Sequence, residues 1–422
     1  MLQVVSAVSG EDIVLLNAEE LEGKEFSKSA LKAELAEIVG VSRFRLRLFR
    51  EDNSEIQGDD EITENMLKLV ILQFLPFCDS KSHEEKWISA CMSDDAQVLQ
   101  ALLEEPLDPD SAICEGRSKS CCPLHIAAMH GRLRCVRLLL QACANKELRE
   151  AQRGLTPLLF AAQNGHMEVV RFLIEAGSDK DKADNLGQTP LHPAAFYGYL
   201  EMVRFLIEAG SDKDKADNSG STPLHSAALY GHMEVVRFLM EAGSDKHRAD
   251  NSGSTPLAFA AFNGHLKVVH FLIEAGSDKD DSDNYGSTPL HTAASNGHME
   301  VVRCLVEAGS DKDKPENCGS TPLHFAALNG HLEMVRFLIE AGSDKDKTDN
   351  SGQTPLHPAA FYGHMEVVRF LIEAGSDKDR ADISGSTPLA FAADNGHMEV
   401  ARFLTEIGSE KYKPNNQHSI DA

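Results

Sequence analysis

The sequence predicts a multidomain protein: an α-solenoid of short helical repeats preceded by a small α+β domain. Three observations lead there. Thr-Pro-Leu begins at Thr156, Thr189, Thr222, Thr255, Thr288, Thr321, Thr354 and Thr387, each step being 33 residues without a slip, and a fixed period of that size marks a stacked array. Inside each period the apolar residues fall at helical spacing between glycines. Residues 1–77 ignore the period and carry strand-like alternation instead.

The unit from Asp217 justifies the helices one by one. Thr222 suits an N-cap, its hydroxyl accepting an orphan backbone N–H. Pro223 suits the first helical position, where its missing N–H is no loss. Leu224, Ala227 and Ala228 fall at i, i+3 and i+4 and form a buried stripe. Gly231 ends this short helix. A second helix is expected over His232 to Ala242, where Met233, Val235, Val236, Phe238, Leu239 and Met240 leave little polar surface. So wide an apolar face implies burial against neighbours on both sides. The Ser-Asp-Lys-His-Arg-Ala-Asp-Asn-Ser-Gly connector that follows is polar and rich in turn formers. Two helices this short cannot bury their own faces, so stability must come from the interfaces between units.

Residues 217 to 236, Asp-Asn-Ser-Gly-Ser-Thr-Pro-Leu-His-Ser-Ala-Ala-Leu-Tyr-Gly-His-Met-Glu-Val-Val, resemble the ankyrin repeat. The resemblance covers roughly residues 84 to 413. It implies L-shaped units, each two antiparallel helices plus a projecting hairpin, and a groove that binds proteins. With Cys122-Pro123-Leu124 standing 34 residues before Thr156 as a first, slightly longer unit, nine repeats are expected over residues 118–413. A capping helix pair without a hairpin is expected over 84–117, with Trp87 packed in it. A linker is expected at 78–83 and a disordered tail at 414–422. Ala401 and Thr405 trim the apolar face of the last unit, as a C-terminal cap requires. Leu159, Ala258 and Ala390 replace the recurring histidine, so its local hydrogen bonds should be missing there. Pro193 and Pro358 should each remove one backbone bond from their helices. Gln188 to Gly198 and Gln353 to Gly363 are the same eleven residues, which suggests duplication of a block of repeats.

In residues 1–77, Met1 to Ala7 and Ile13 to Asn17 read as strands and Ser29 to Val39 as a helix. Arg43 to Phe49 alternates strictly and reads as a half-buried strand, and Leu67 to Phe74 as a last strand. This order resembles the ubiquitin-like β-grasp fold. The chain continues past it without Gly-Gly, so conjugation to other proteins is not expected. Arg43, Arg45 and Arg47 should form the outward face of their strand, where ubiquitin has an apolar patch. A solvated face is the favoured reading of these three, and contact with an acidic partner is the other.

The chain holds 41 basic and 66 acidic side chains, a formal charge of −25. Nucleic acid is therefore a poor partner, since its phosphates would be repelled, and basic partners are weakly favoured. The nine cysteines are unevenly placed, with Cys114, Cys121, Cys122, Cys135 and Cys143 crowding one segment. No secretory signal opens the chain, and its longest apolar stretch is too short to span a bilayer. The expectation is a monomeric protein with free thiols in the cytoplasm or nucleus, without membrane insertion.

The histidines His166, His232, His265, His298, His331, His364 and His397 recur with the period and read as scaffold, since metal ligands must converge on one point. The cysteine cluster, near His125 and His130, lacks a Cys-x₂-Cys pair and reads as ordinary thiols. No metal or cofactor is expected. The Glu-Ala-Gly-Ser-Asp-Lys carboxylates read as a solvated edge. With no Gly-rich phosphate loop and no nucleophile elbow, an enzyme is not expected.

The informative residues are those that vary from unit to unit. The two positions before each helix-ending glycine include Phe196/Tyr197, Leu229/Tyr230, Phe262/Asn263 and Phe361/Tyr362. They read either as interface anchors or as rings partly buried against the next unit. The hairpin tips Leu186, Tyr285 and Ile383 extend the same surface. The expected function is a scaffold or adaptor binding a protein in the groove. The alternative is a ubiquitin-pathway adaptor that links a client on the repeats to ligase or proteasome machinery.

Overall fold

The computed structural model describes residues 81–105, 108–115 and 118–410, with Lys32, Phe44 and six short strands among the first 71 residues. The chain forms two compact units: Met1–Ala194 with Glu201–Ser211, and Ala195–Leu200 with Asp212–Ala422.

The first unit opens with β1 (Leu2–Ser6), β2 (Asp12–Leu16), β3 (Phe26–Ser27), β4 (Leu46–Arg50), β5 (Glu61–Ile62) and β6 (Leu67–Ile71). Four of them make a sheet in the order β2-β1-β6-β4, and β3 pairs with β5 separately. β1 runs antiparallel to β2 and parallel to β6, while β4 runs antiparallel to β6 with Leu48 opposite Leu69. Phe44, Leu46 and Leu48 are buried, as their alternation requires. The helix expected over Ser29 to Val39 falls outside the described residues, so these strands stand here as a sheet and nothing more. Arg43 and Arg45 fall outside them too.

Arg47 corrects an expectation. It lies neither in open solvent nor free for an acidic partner. Its guanidinium donates to the carbonyls of Phe44, Leu46 and Glu104 and sits 3.6 Å from the Glu104 carboxylate. Lys32 approaches the same carboxylate at 3.8 Å. Glu104 is the C-cap of helix Ala96–Leu103, and cations are favoured at the carbonyl end of a helix.

That helix pairs with Lys81–Ser93, the Asp95 carboxylate accepting the Val98 amide at 3.0 Å to start it. Trp87 is fully buried there with Cys91, Leu99 and Leu103. The pair leads into an antiparallel hairpin, β7 (Ile113–Glu115) and β8 (Ser118–Cys121), whose first strand lies in the 84–117 segment and whose second opens the first repeat.

From Pro123 onward each period folds as two helices. The unit read above gives Pro223–Leu229 and Met233–Glu241. Leu224, Ala227, Ala228, Val236 and Leu239 are completely buried, and each large aliphatic so buried contributes about 1.5–3 kcal/mol. His225 is buried with its Nδ1 accepting the Thr222 amide at 3.1 Å and facing the Thr222 hydroxyl at 2.9 Å. Its Nε2 meets the Ser254 carbonyl of the next loop at 3.2 Å. Where the histidine is missing the cap persists by another route. The hydroxyls of Thr156, Thr255 and Thr387 accept the amides of Leu159, Ala258 and Ala390 at 3.3–3.4 Å. The two internal prolines act as expected. Helices Leu191–Phe196 and Leu356–Phe361 start one residue later than their counterparts and have six residues instead of seven. The last helix, Met398–Glu410, leaves Met398 and Thr405 exposed. Among the described residues no helix is long and apolar enough to cross a membrane.

Candidate protein-binding surface

The first helices end at glycines that have to be glycine. Gly198 has φ +73°, and a Cβ there would lie 2.5 Å from Nδ1 of His232 in the next repeat. That ring is held by Nε2, which meets the Phe196 carbonyl at 2.8 Å. The same strap joins His265 to Leu229, His298 to Phe262 and His364 to Leu328, each at 2.9 Å. The recurring histidines thus fix the backbone of the positions that vary.

The aromatic side chains at those positions divide into inner and outer rings. Phe196 is half-buried, with its centroid 4.8 Å from Tyr197 and 4.1 Å from Tyr230. Tyr197 and Tyr230 are each 44% exposed. Tyr199 adds a fourth ring, stacked 5.7 Å from Tyr197. Sequence reading missed it. The available signal was that Tyr199 stands where the other units from Thr156 on carry the strap histidine. The second aromatic pair repeats the first: Phe361 half-buried, Tyr362 exposed, centroids 4.8 Å apart and planes at 68°, the values found for Phe196 and Tyr197. Phe361 also lies 6.0 Å from Phe391. Phe262 and Asn263 are exposed, and the Asn263 amide reaches back to the Phe259 carbonyl at 3.3 Å. Leu229 is half-buried.

The hairpin tips are held by a ladder that the sequence did not announce. Asn251, Asn284, Asn317 and Asn350 each donate a side-chain N–H to the backbone carbonyl of the residue 33 places earlier, at 2.9–3.0 Å. Ile383 takes the next place in the series and cannot donate, though its backbone N–H still reaches the Ser351 carbonyl at 2.9 Å. Ile383 is 80% and Tyr285 70% exposed. Leu186, in the other unit, is exposed as well. The Glu and Asp of the Glu-Ala-Gly-Ser-Asp-Lys runs are exposed, and the carboxylates just past three of these runs bridge repeats. Asp214, Asp280 and Asp313 accept the amides of Asp245, Asp311 and Asp344 in the following units at 3.0 Å.

A second ladder runs along the second helices. The guanidinium carbons of Arg237, Arg303, Arg336 and Arg369 lie 4.4–5.6 Å from the ring centroids of Phe271, Phe337, Phe370 and Phe403. In the first unit Arg137 and Arg171 meet Phe172 and Phe205 in the same way. One rung differs in both partners: His270 stands where arginine recurs and Cys304 where phenylalanine recurs. A cleft of about 610 Å³ opens there, lined among others by Met233, Leu266, Phe271 and Cys304. His270 turns to Glu274, 3.2 Å away.

Among the described residues the cysteines are free thiols, with Cys122 and Cys135 both near the buried Cys91. Cys122 takes the capping threonine's place, with Sγ 3.1 Å from His125 Nδ1. Burial pushes its thiol up to about 12. Cys135, also raised to about 12 chiefly by burial, directs Sγ to the Ala90 carbonyl at 3.5 Å. Cys143 is exposed. Among the described residues no three His, Cys, Asp or Glu side chains are grouped so as to hold a metal ion. Burial likewise lowers His125, His225, His291, His324 and His357 below the usual histidine range.

Paired short helices, asparagine-laddered turns and histidine straps define a helical-repeat solenoid within each unit. A family model described as ankyrin repeats (3 copies) matches residues 87–184, 124–217, 209–283, 275–349 and 341–415, and the chain belongs to the ankyrin-repeat family. The first match starts at Trp87 and so takes in the leading helix pair. No curated protein matches the chain. Ankyrin repeats generally mediate protein–protein interaction.

Proposed function

We propose that this protein is a non-enzymatic scaffold, and that the face formed by Phe196, Tyr197, Tyr199 and Tyr230 is where it takes a basic segment of a partner protein. The observation that carries this reading is the ring cluster. Two tyrosines remain 44% exposed while an inner phenylalanine holds them in place. Exposed rings already ordered by the scaffold lose little entropy on binding, and aromatic anchors dominate interface energetics. The formal charge of −25 favours a partner segment carrying arginine or lysine, and a guanidinium over a tyrosine ring gains about 0.5–2 kcal/mol. Leu229, Phe262, Asn263, Tyr285 and Ile383 belong to the same proposed surface.

The test is selection of displayed random dodecamers on the full chain and on a Tyr197→Ala/Tyr230→Ala variant. Peptides enriched in arginine and lysine on the intact chain and lost on the variant are expected. Enrichment without basic residues, or equal recovery on both proteins, refutes the proposal.

A second reading, a ubiquitin-pathway adaptor, draws its support from the N-terminal strands. The order β2-β1-β6-β4, with the central β1–β6 pair parallel, suits a ubiquitin-like β-grasp domain over residues 1–77. On this reading the full chain captures purified proteasome or ligase receptors of ubiquitin-like domains, and deletion of 1–77 abolishes capture. Failure of the full chain to bind any of them refutes it.

A further inference from the structure

Gln188–Gly198 and Gln353–Gly363 are identical over eleven residues and lie 165 residues, or five repeats, apart. The likeness extends into three dimensions. Both helices begin late because of an internal proline, both end in a half-buried phenylalanine under an exposed tyrosine, and both Phe–Tyr pairs have the same separation and tilt. In both copies the tyrosine ring is stacked on the side chain two residues on, Tyr199 at 5.7 Å and His364 at 6.2 Å. An exposed glutamate, Glu201 or Glu366, follows each tyrosine by four residues.

The units that follow the two copies differ. Leu229/Tyr230 occupy the variable positions after the first, and Asp394/Asn395 after the second. Identity also runs through Val203–Asp214 and Val368–Asp379, a run that other repeats share, whereas a proline followed by Phe-Tyr in the first helix occurs in these two repeats alone. Each copy also keeps a proline that removes a helical hydrogen bond, a cost that the repeats with serine, threonine or phenylalanine at that place avoid. Scaffold needs explain neither the proline nor an exposed tyrosine.

We infer that the two elements are equivalent docking sites, so that one chain holds two copies of the same kind of basic segment, or one partner that carries the segment twice. This rests on the reading of the Tyr197 face as the binding surface. Packed helices sit roughly 8–10 Å apart, so five steps separate the sites by about 40–50 Å. A partner that spans this distance binds as a tether, and its second contact forms at high effective concentration. The first site has the extra ring of Tyr230 and is the tighter of the two.

The probe is the tightest dodecamer selected on the intact chain, used alone and as a tandem joined by a Gly/Ser linker of about 60 residues, whose mean span is about 40–45 Å. Calorimetry with the full chain is expected to give two single dodecamers per protein. Tyr197→Lys and Tyr362→Lys, exposed changes that keep the inner phenylalanines, should each reduce this to one, and together to none. The tandem should bind the intact chain at least tenfold more tightly than the single peptide, and either single variant without that gain. One dodecamer per chain, unaffected by Tyr362→Lys but lost with Tyr197→Lys, overturns the second site and leaves the binding face standing. Two per chain, insensitive to both changes, overturns the binding face and the paired sites together.

Discussion

The turns and the ends of the first helices lie one after the other in every repeat, yet they obey different rules. The turns are nearly constant from unit to unit. The asparagine of one unit bonds to the backbone of the previous one, and Gly220 has φ +84° with the next Asn251 amide only 2.7 Å from where a Cβ would stand. The helix ends vary freely between Phe-Tyr, Leu-Tyr, Phe-Asn and Asp-Asn. Their backbone is fixed by the strap histidine of the next unit, so their side chains are released from structural duty. Constancy marks residues that bond to a neighbour, and variation marks positions whose side chains are half-buried or exposed.

The comparison can be broken most severely from within the core. Leu239→Ala should cost about 2–5 kcal/mol, seen as loss of hydrogen-exchange protection in its own and adjacent units before the rest. Equal loss throughout would mean that the units do not act through nearest-neighbour interfaces.

Gly231→Ala comes next. Gly231 has φ +70°, and its added Cβ would meet Nδ1 of His265 at 2.5 Å. The conformation alone costs about 1–2 kcal/mol, and the displaced strap adds to it. Chemical denaturation should show the loss, and a second change, His265→Ala, should recover part of it.

Acid should act on the capping histidines. Burial lowers His225, His291 and His324 below the ordinary histidine value of 6.5, so the unfolded chain binds protons that the folded chain does not. Stability then rises with pH across this range. It is fully present above 6.5 and is lost as pH falls below that value. Thermal melts from pH 7.5 to 5 should fall steeply, and His225→Leu, copying the unit at Leu159, should flatten the curve. An unchanged slope would mean that these rings titrate alike in both states.

Two smaller effects sharpen the contrast. Cys143 has φ +63° at the helix-ending place that Gly177 and Gly243 occupy elsewhere. Relief of that conformation by Cys143→Gly, less the added chain entropy, should stabilise by about 0.5–1 kcal/mol, read by denaturation. Tyr230→Ala removes the ring contact with Phe196 and should cost about 0.5–1.5 kcal/mol while weakening dodecamer binding.

The helices were legible because their signals are local: a capping threonine, a proline at the first turn, an apolar stripe and a closing glycine. The inner and outer roles of Phe196 and Tyr197 were not, because they depend on Tyr230 in the next unit. The asparagine and Arg–Phe ladders join residues 33 to 35 apart, and a single chain shows no sign of which faces which until units stack. Arg47 found Glu104 across 57 residues, beyond any pattern in its own strand. The eleven-residue identity was legible at once, but the matching ring geometry needed the structure.

The paired substitution at His270 and Cys304 has a mechanical consequence. Elsewhere in that unit Arg–Phe contacts tie one second helix to the next, and each such contact is worth about 0.5–1 kcal/mol at an exposed site. At this rung the tie is absent and a cleft takes its place. The seam loses one outer contact rather than its hold, because the Asp311 amide and the Lys314 ammonium of the next repeat still bond to Asp280 across it.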